Sequence, residues 1–155
     1  MASDLQKSIH KDERAGAEIA YGAEDCYSLI VKLSQDSGFP KGMLPLKYLE
    51  EFGYVSKTGF TWMKQKAPYQ HYFSSIKMLV SYAKEITAYV EKGKMKKISG
   101  VKSKQLLLWV PTIEMSINED QKKIYFKTLM GIGMSYPITV FMTDEEKEEA
   151  KYSSA

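Results

Sequence analysis

The sequence predicts an α+β fold that is mainly β. It consists of an N-terminal helix or helix pair packed on an antiparallel β-barrel or sandwich of about eight to nine strands. Three observations carry this. Between residues 12 and 38 apolar residues recur at spacings of three and four, as on a helix. From residue 46 onward the period changes to two, with turn residues recurring about every ten positions. Eleven Tyr, six Phe and two Trp in 155 residues favour pleated, half-buried surfaces. The length suits one domain. It is expected over 12–143, helical in 12–38 and mostly β in 46–143, between a flexible segment 1–11 and a charged tail 144–155.

Asp12 is an N-cap candidate, and Ile19, Gly22, Cys26, Ile30 and Leu33 form the apolar stripe. Because Gly22 falls on the stripe, one kinked helix and two consecutive helices both fit. Gly38 supplies a left-handed end, with Phe39 as its hydrophobic follower and Pro40 as the stop. Residues Tyr54 to Thr61 read as strand, turn, strand, with Ser56-Lys57-Thr58-Gly59 in the turn. Tyr69 to Val80 reads as two short strands. Lys84 to Glu91 and Met95 to Val101 flank the turn Glu91-Lys92-Gly93-Lys94. Gln105 to Ile117 reads as one long strand that Pro111 bends or bulges, since proline removes a ladder donor. Lys122 to Thr128 and Tyr136 to Met142 complete the set.

Several ordered segments resemble one known family. They are Gly42-Met43-Leu44-Pro45-Leu46, Gly53-Tyr54, Thr58 through Lys66, Val80 through Val90 and Gly100 through Val110, with Ala17 to Gly22 and Tyr136-Pro137 in support. On these the chain is similar to the plant-specific family of domain of unknown function 538 over roughly residues 14–142. The resemblance implies a helix-plus-β fold and a plant source. It also implies a loose link to stress and developmental responses, and a comparison with both lipid-binding defence proteins and esterases, without an agreed activity.

Composition excludes several function classes. The net charge is +3, and six lysines fall between Lys92 and Lys104 without an acid. Such a patch suits an anionic headgroup or a partner contact, through Lys94, Lys96 and Lys97, or else a solvated hairpin guarding a strand edge. Without arginine or aromatic interleaving it does not predict specific nucleic-acid binding. The first residues contain no apolar signal core and no stretch is long enough to span a membrane, so a cytoplasmic location is expected. Cys26 is the only cysteine, so no internal disulfide forms. With His10 and His71 it makes no metal-ligand cluster, and neither a metal nor a cofactor is expected. Cys26 on the apolar stripe reads as a packing residue. No Gly-x-Ser-x-Gly elbow occurs, and Gly131-x-Gly133 leads into a strand, so it reads as a hairpin and not as a phosphate loop.

The aromatic and methionine residues are the strongest functional signal. In a β-barrel, inward side chains either fill the core or wall a ligand cavity. Phe60, Trp62, Tyr72, Trp109 and Met134 are the candidates for contact with an apolar small molecule or lipid. Non-catalytic binding is therefore the leading expectation. A protein-interaction module using the basic hairpin or acidic tail is the second. A cofactor-independent enzyme such as an esterase, isomerase or cyclase is the third, with His71, Tyr82 and Glu85 as its acid–base candidates.

Overall fold

The computed structural model describes residues 13–44, 48–131 and 133–153. Strand β1 (Glu18–Tyr21) leads into helix α1 (Ala23–Ser37), and a 3-10 turn (Lys41–Met43) follows. The strands β2 (Leu49–Tyr54), β3 (Phe60–Gln65), β4 (Tyr69–Phe73), β5 (Met78–Glu91), β6 (Lys94–Gln105), β7 (Leu108–Ile117), β8 (Lys123–Thr128) and β9 (Gly133–Pro137) come next. A second 3-10 turn (Ile138–Phe141) and helix α2 (Asp144–Ser153) end the chain.

All nine strands form one antiparallel sheet in the order β1-β2-β3-β5-β6-β7-β8-β9, with β4 paired to β5. β5 organises it. Residues Met78 to Tyr82 pair with β4, Glu85 to Tyr89 pair with β3, and the opposite edge pairs with β6. β3 and β4 are thus one strand broken where Pro68 can donate no ladder bond. Along β5 the residues of one parity face inward except at exposed Lys84: Val80, Tyr82, Ile86, Ala88 and Val90 are all buried.

β6 does not keep that alternation. Its buried residues are Ile98, Val101 and Ser103, so the inward parity changes between Ile98 and Val101. Lys97 and Gly100 supply the irregularity, with φ of 51° and 91°. A Cβ on Gly100 would stand 2.5 Å from the Glu85 carbonyl oxygen, so this bulge needs glycine. β7 carries a second register shift between Thr112 and Glu114, just beyond Pro111. These bulges curl the sheet around its apolar face.

Where a barrel or sandwich is expected, the hydrogen-bonded ladder is a single sheet that is not closed, with β1 and β9 as its ends among the described residues. Side chains bridge part of the opening. The Phe141 ring lies 5.2 Å from Phe73 on β4 and 5.2 Å from Phe126 on β8. Helix α1 lays Cys26, Leu29, Ile30 and Leu33 against the same core. Cys26 is fully buried, and its thiol donates to the Ala20 carbonyl at 3.5 Å.

Three further expectations change. Residues 12–38 are not one helical unit, because Glu18–Tyr21 pairs with β2 and the helix starts only after Gly22. Backbone pairing to Tyr54 and its neighbours overrides the helical spacing of Ile19. Gly38 does end α1 in the left-handed conformation, and its N–H bonds Ser34 O. The expected strand over Gln105 to Ile117 is divided, because Leu106-Leu107 form a hairpin turn between β6 and β7. The expected strand Tyr136 to Met142 stops at Pro137 and becomes the 3-10 turn that buries Ile138 and Phe141. The tail is helical where it is described. Thr143 and Glu146 cap it reciprocally, with Glu146 N–H on the Thr143 hydroxyl at 3.2 Å and Thr143 N–H on the Glu146 carboxylate at 3.0 Å. Glu146 also accepts from Lys41 N–H at 3.1 Å, which ties α2 to the first 3-10 turn. The expected flexible segment 1–11 lies outside the described residues.

Because Phe141 bridges β4 and β8, Phe141→Ala should destabilise the protein by about 3–5 kcal/mol. Thermal denaturation of the variant, monitored by circular dichroism, measures this directly.

Candidate functional site

The concave face of the sheet encloses two neighbouring cavities. The smaller, of about 30 Å³, is bounded by Met43, Tyr82, Ser103, Thr112, Thr128 and Phe141 among others. The larger, of about 60 Å³, is walled by Ile30, Leu33, Phe39, Met63, Ile86 and Met95 and their neighbours. Met43, Val101 and Met115 border both, so these three side chains form the partition. Ser103, Gln105, Thr112 and Thr128 line the smaller cavity with no charged side chain, whereas Ser34, Ser37, Thr61 and Lys41 border the otherwise apolar larger one. Its volume is that of a space for water-sized molecules, far below the ~300–1,000 Å³ of a drug-sized ligand pocket. An occupant of several carbons must therefore move the partition.

The sequence-predicted ligand contacts fall in different places. Met134 lines the smaller cavity. Phe60 and Trp62 point to the opposite, convex face, where they form a second apolar cluster with Val55, Ala17 and Tyr89. Trp62 is 1% exposed. Its indole N–H donates to Glu51 at 2.6 Å, and the Arg14 guanidinium covers its ring at 4.6 Å. Gly53 sits opposite in the ladder, and the indole occupies the space a Cβ would need. Residues 13–17 thus cover what would otherwise be a solvent face. Alternation along β3 offered two sets, Phe60/Trp62 and Thr61/Met63. The larger aromatics drew attention to the convex one, whereas Thr61 and Met63 line the larger cavity. Tyr72 is exposed on edge strand β4, and Trp109 lies half-exposed near the β6–β7 turn.

The acid–base candidates do not converge. Tyr82 is buried, and its hydroxyl donates to the Met43 carbonyl at 3.2 Å. Glu85 pairs with Arg14 at 2.7 Å. His71 packs edge-on against Phe73 with ring centroids 4.6 Å apart. The three lysines singled out in the basic hairpin each have an internal partner. Lys94 pairs with Glu114 at 3.5 Å, Lys96 with Glu91 at 3.2 Å, and Lys97 lies over the Tyr89 ring. Among the described residues no group of His, Cys, Asp and Glu could hold a metal ion. No helix there is long and apolar enough to cross a membrane.

The inner wall was missed in the sequence because Met43 sits in a loop and because the bulges in β6 and β7 shift parity midway. One buried polar atom stands out: the Gln65 side-chain oxygen has no partner among the described residues, while its amide donates to the Tyr82 and Ala83 carbonyls.

Burial pushes the Tyr82 phenol well above its ordinary value of 10.0, with a smaller contribution from Tyr69. The native state therefore keeps a proton that the unfolded chain loses, so stability is full below pH 10 and falls as the pH rises beyond it. Burial raises Tyr136 as well, and burial together with Glu13 raises Tyr89. In urea titrations across this alkaline range, Tyr82→Phe should reduce the slope without abolishing it.

No curated protein and no solved structure matches this chain. A family profile described as "Protein of unknown function, DUF538" matches residues 30–142, from within α1 to the end of the second 3-10 turn. The chain belongs to the DUF538 family.

Proposed function

We propose that the protein binds an apolar small molecule in its concave interior and performs no chemistry on it. The supporting observation is the pair of adjoining cavities separated only by Met43, Val101 and Met115. Methionine is unbranched and polarizable, so it yields to ligands of irregular shape at little cost. Displacement of Met43 and Met115 would merge the two spaces into one channel. The partition and the Phe141 contact are the parts that must move for entry.

The interior chemistry narrows the ligand. The wall of the larger cavity is almost wholly apolar, which suits a slender hydrocarbon. Ser103, Thr112 and Thr128 offer hydroxyl groups in the smaller one, with no cation to neutralise a carboxylate. Burying an unpaired charge is costly, so a neutral head such as a hydroxyl, ketone or ester fits best. The separation of His71, Tyr82 and Glu85 favours binding over catalysis.

Displacement of a fluorescent naphthylamine probe tests this. Long-chain alcohols should compete at least about tenfold better than carboxylates of equal length at neutral pH, the ratio expected from a modest desolvation difference. Val101→Phe fills the junction of the two cavities and should remove probe binding while the circular dichroism spectrum is retained. A folded Val101→Phe protein that binds the probe like the parent would sink the proposal.

A further inference from the structure

The β6–β7 turn has a composition that folding does not explain. Two-residue hairpin turns favour Asn, Asp and Gly, which adopt positive φ readily. Here the turn is Leu106-Leu107, with Leu106 at φ 57°. The two side chains are 96% and 90% exposed, and Leu108 beside them is exposed as well. Strain and exposure at one point mark a site kept for something other than stability.

A second apolar tip stands beside the first. β6 and β8 run in the same direction, so the β6–β7 and β8–β9 hairpins project from one end of the sheet. Leu129 and Met130 are exposed on the second. The Leu129 N–H donates to the Pro111 carbonyl at 3.0 Å, which holds the two hairpins together.

Charge and aromatic placement identify the occupant. Residues 92–113 hold six lysines and no acid, and residues 121–143 hold three lysines and no acid. Lys102, Lys104 and Lys127 flank the tips and are exposed, and among the described residues none of them is ion-paired. In this they differ from Lys94 and Lys96 at the other end. Trp109 and Tyr125 are half-exposed on the convex face behind the tips, with Lys104 over the Trp109 ring at 5.8 Å. Apolar tips collared by lysines and amphipathic aromatics match the layers of a lipid bilayer, with hydrocarbon for the tips and the interface and anionic headgroups for the collar. A second copy of the chain would bring a like-charged lysine collar against this one.

We infer that this end of the molecule docks on an anionic lipid surface, with Leu106, Leu107, Leu129 and Met130 inserted below the headgroups. Gln105, Thr128 and Met134, at the roots of the same hairpins, line the smaller cavity, so docking sets the polar end of the interior towards the bilayer. The inference does not depend on the interior ligand.

The two tryptophans make the test selective. Full-length protein is mixed with phosphatidylcholine vesicles containing about one third phosphatidylserine, and with pure phosphatidylcholine vesicles. On the anionic vesicles Trp109 emission should shift to the blue and be quenched by brominated acyl chains, while buried Trp62 stays silent. Trp109→Phe assigns the signal. Leu106→Asn combined with Leu107→Ser restores turn-forming residues. The double variant should melt at or above the parental temperature, bind the naphthylamine probe as the parent does, and bind vesicles at least about tenfold more weakly, the ratio of a modest loss in apolar insertion. Lys102→Gln with Lys104→Gln and Lys127→Gln should flatten the salt dependence. No binding to anionic vesicles at low salt would overturn the inference, as would undiminished binding by the leucine variant. A concentration-dependent dimer that the leucine variant abolishes would assign the tips to a second copy instead.

Discussion

The structure depends on the shared inward parity of the two halves of β5. Val80, Tyr82, Ile86, Ala88 and Val90 keep one parity on the concave face, interrupted only at exposed Lys84, where the strand's partner along one edge changes from β4 to β3. A strand that never slips parity is a fixed reference. β6 adjusts to it between Tyr82 and Tyr89, where the ladder register shifts and Lys97 and Gly100 take positive φ. The close approach of Gly100 to the Glu85 carbonyl is where that adjustment meets the reference strand. Without the bulge the far half of β6 would present its lysines inward.

Bending the sheet has two consequences. Its concave face cannot be packed by strands alone, so α1 and the turn Ile138–Phe141 supply side chains from outside the ladder. Two small voids remain where the supply is imperfect. Its convex face is covered at one place, where residues 13–17 bring Arg14 and Ala17 over Trp62 and Phe60. Aromatic content therefore serves two separate clusters, and abundance of aromatics is no guide to which one meets a ligand.

The two ends of the sheet differ in chemistry. At the β5–β6 turn the chain is pinned: Gly93 N–H bonds Ser37 O, Ile117 N–H bonds Gly93 O, and the nearby lysines are paired. At the opposite end the hairpin tips carry exposed leucines and exposed lysines, and the polar part of the interior lies behind them. Stability is concentrated at the first end and exposed apolar surface at the second. That division is common in proteins whose binding elements are loops on a rigid frame.

Much of this was legible in the amino-acid order. Local residues placed the end of α1 at Gly38, because a left-handed glycine followed by Phe39 and Pro40 is a local instruction. Period-two runs located the β2–β3 and β5–β6 hairpins, because alternation and turn residues act over a few positions. The family likeness was carried by contiguous segments and needed no fold. Tertiary structure alone decided the rest. Ile19 joined a strand because β2 offered it hydrogen bonds that sequence spacing cannot register. Leu106-Leu107 became a turn against their own propensity, because β6 and β7 fix the reversal there. Which of the alternating faces of β3 is concave was undetermined locally, since both are buried, one by the core and one by Arg14 from 48 residues upstream of Trp62. The sheet stays open for the same reason: closure depends on accumulated bulge and twist over nine strands, a sum that no short stretch of sequence contains.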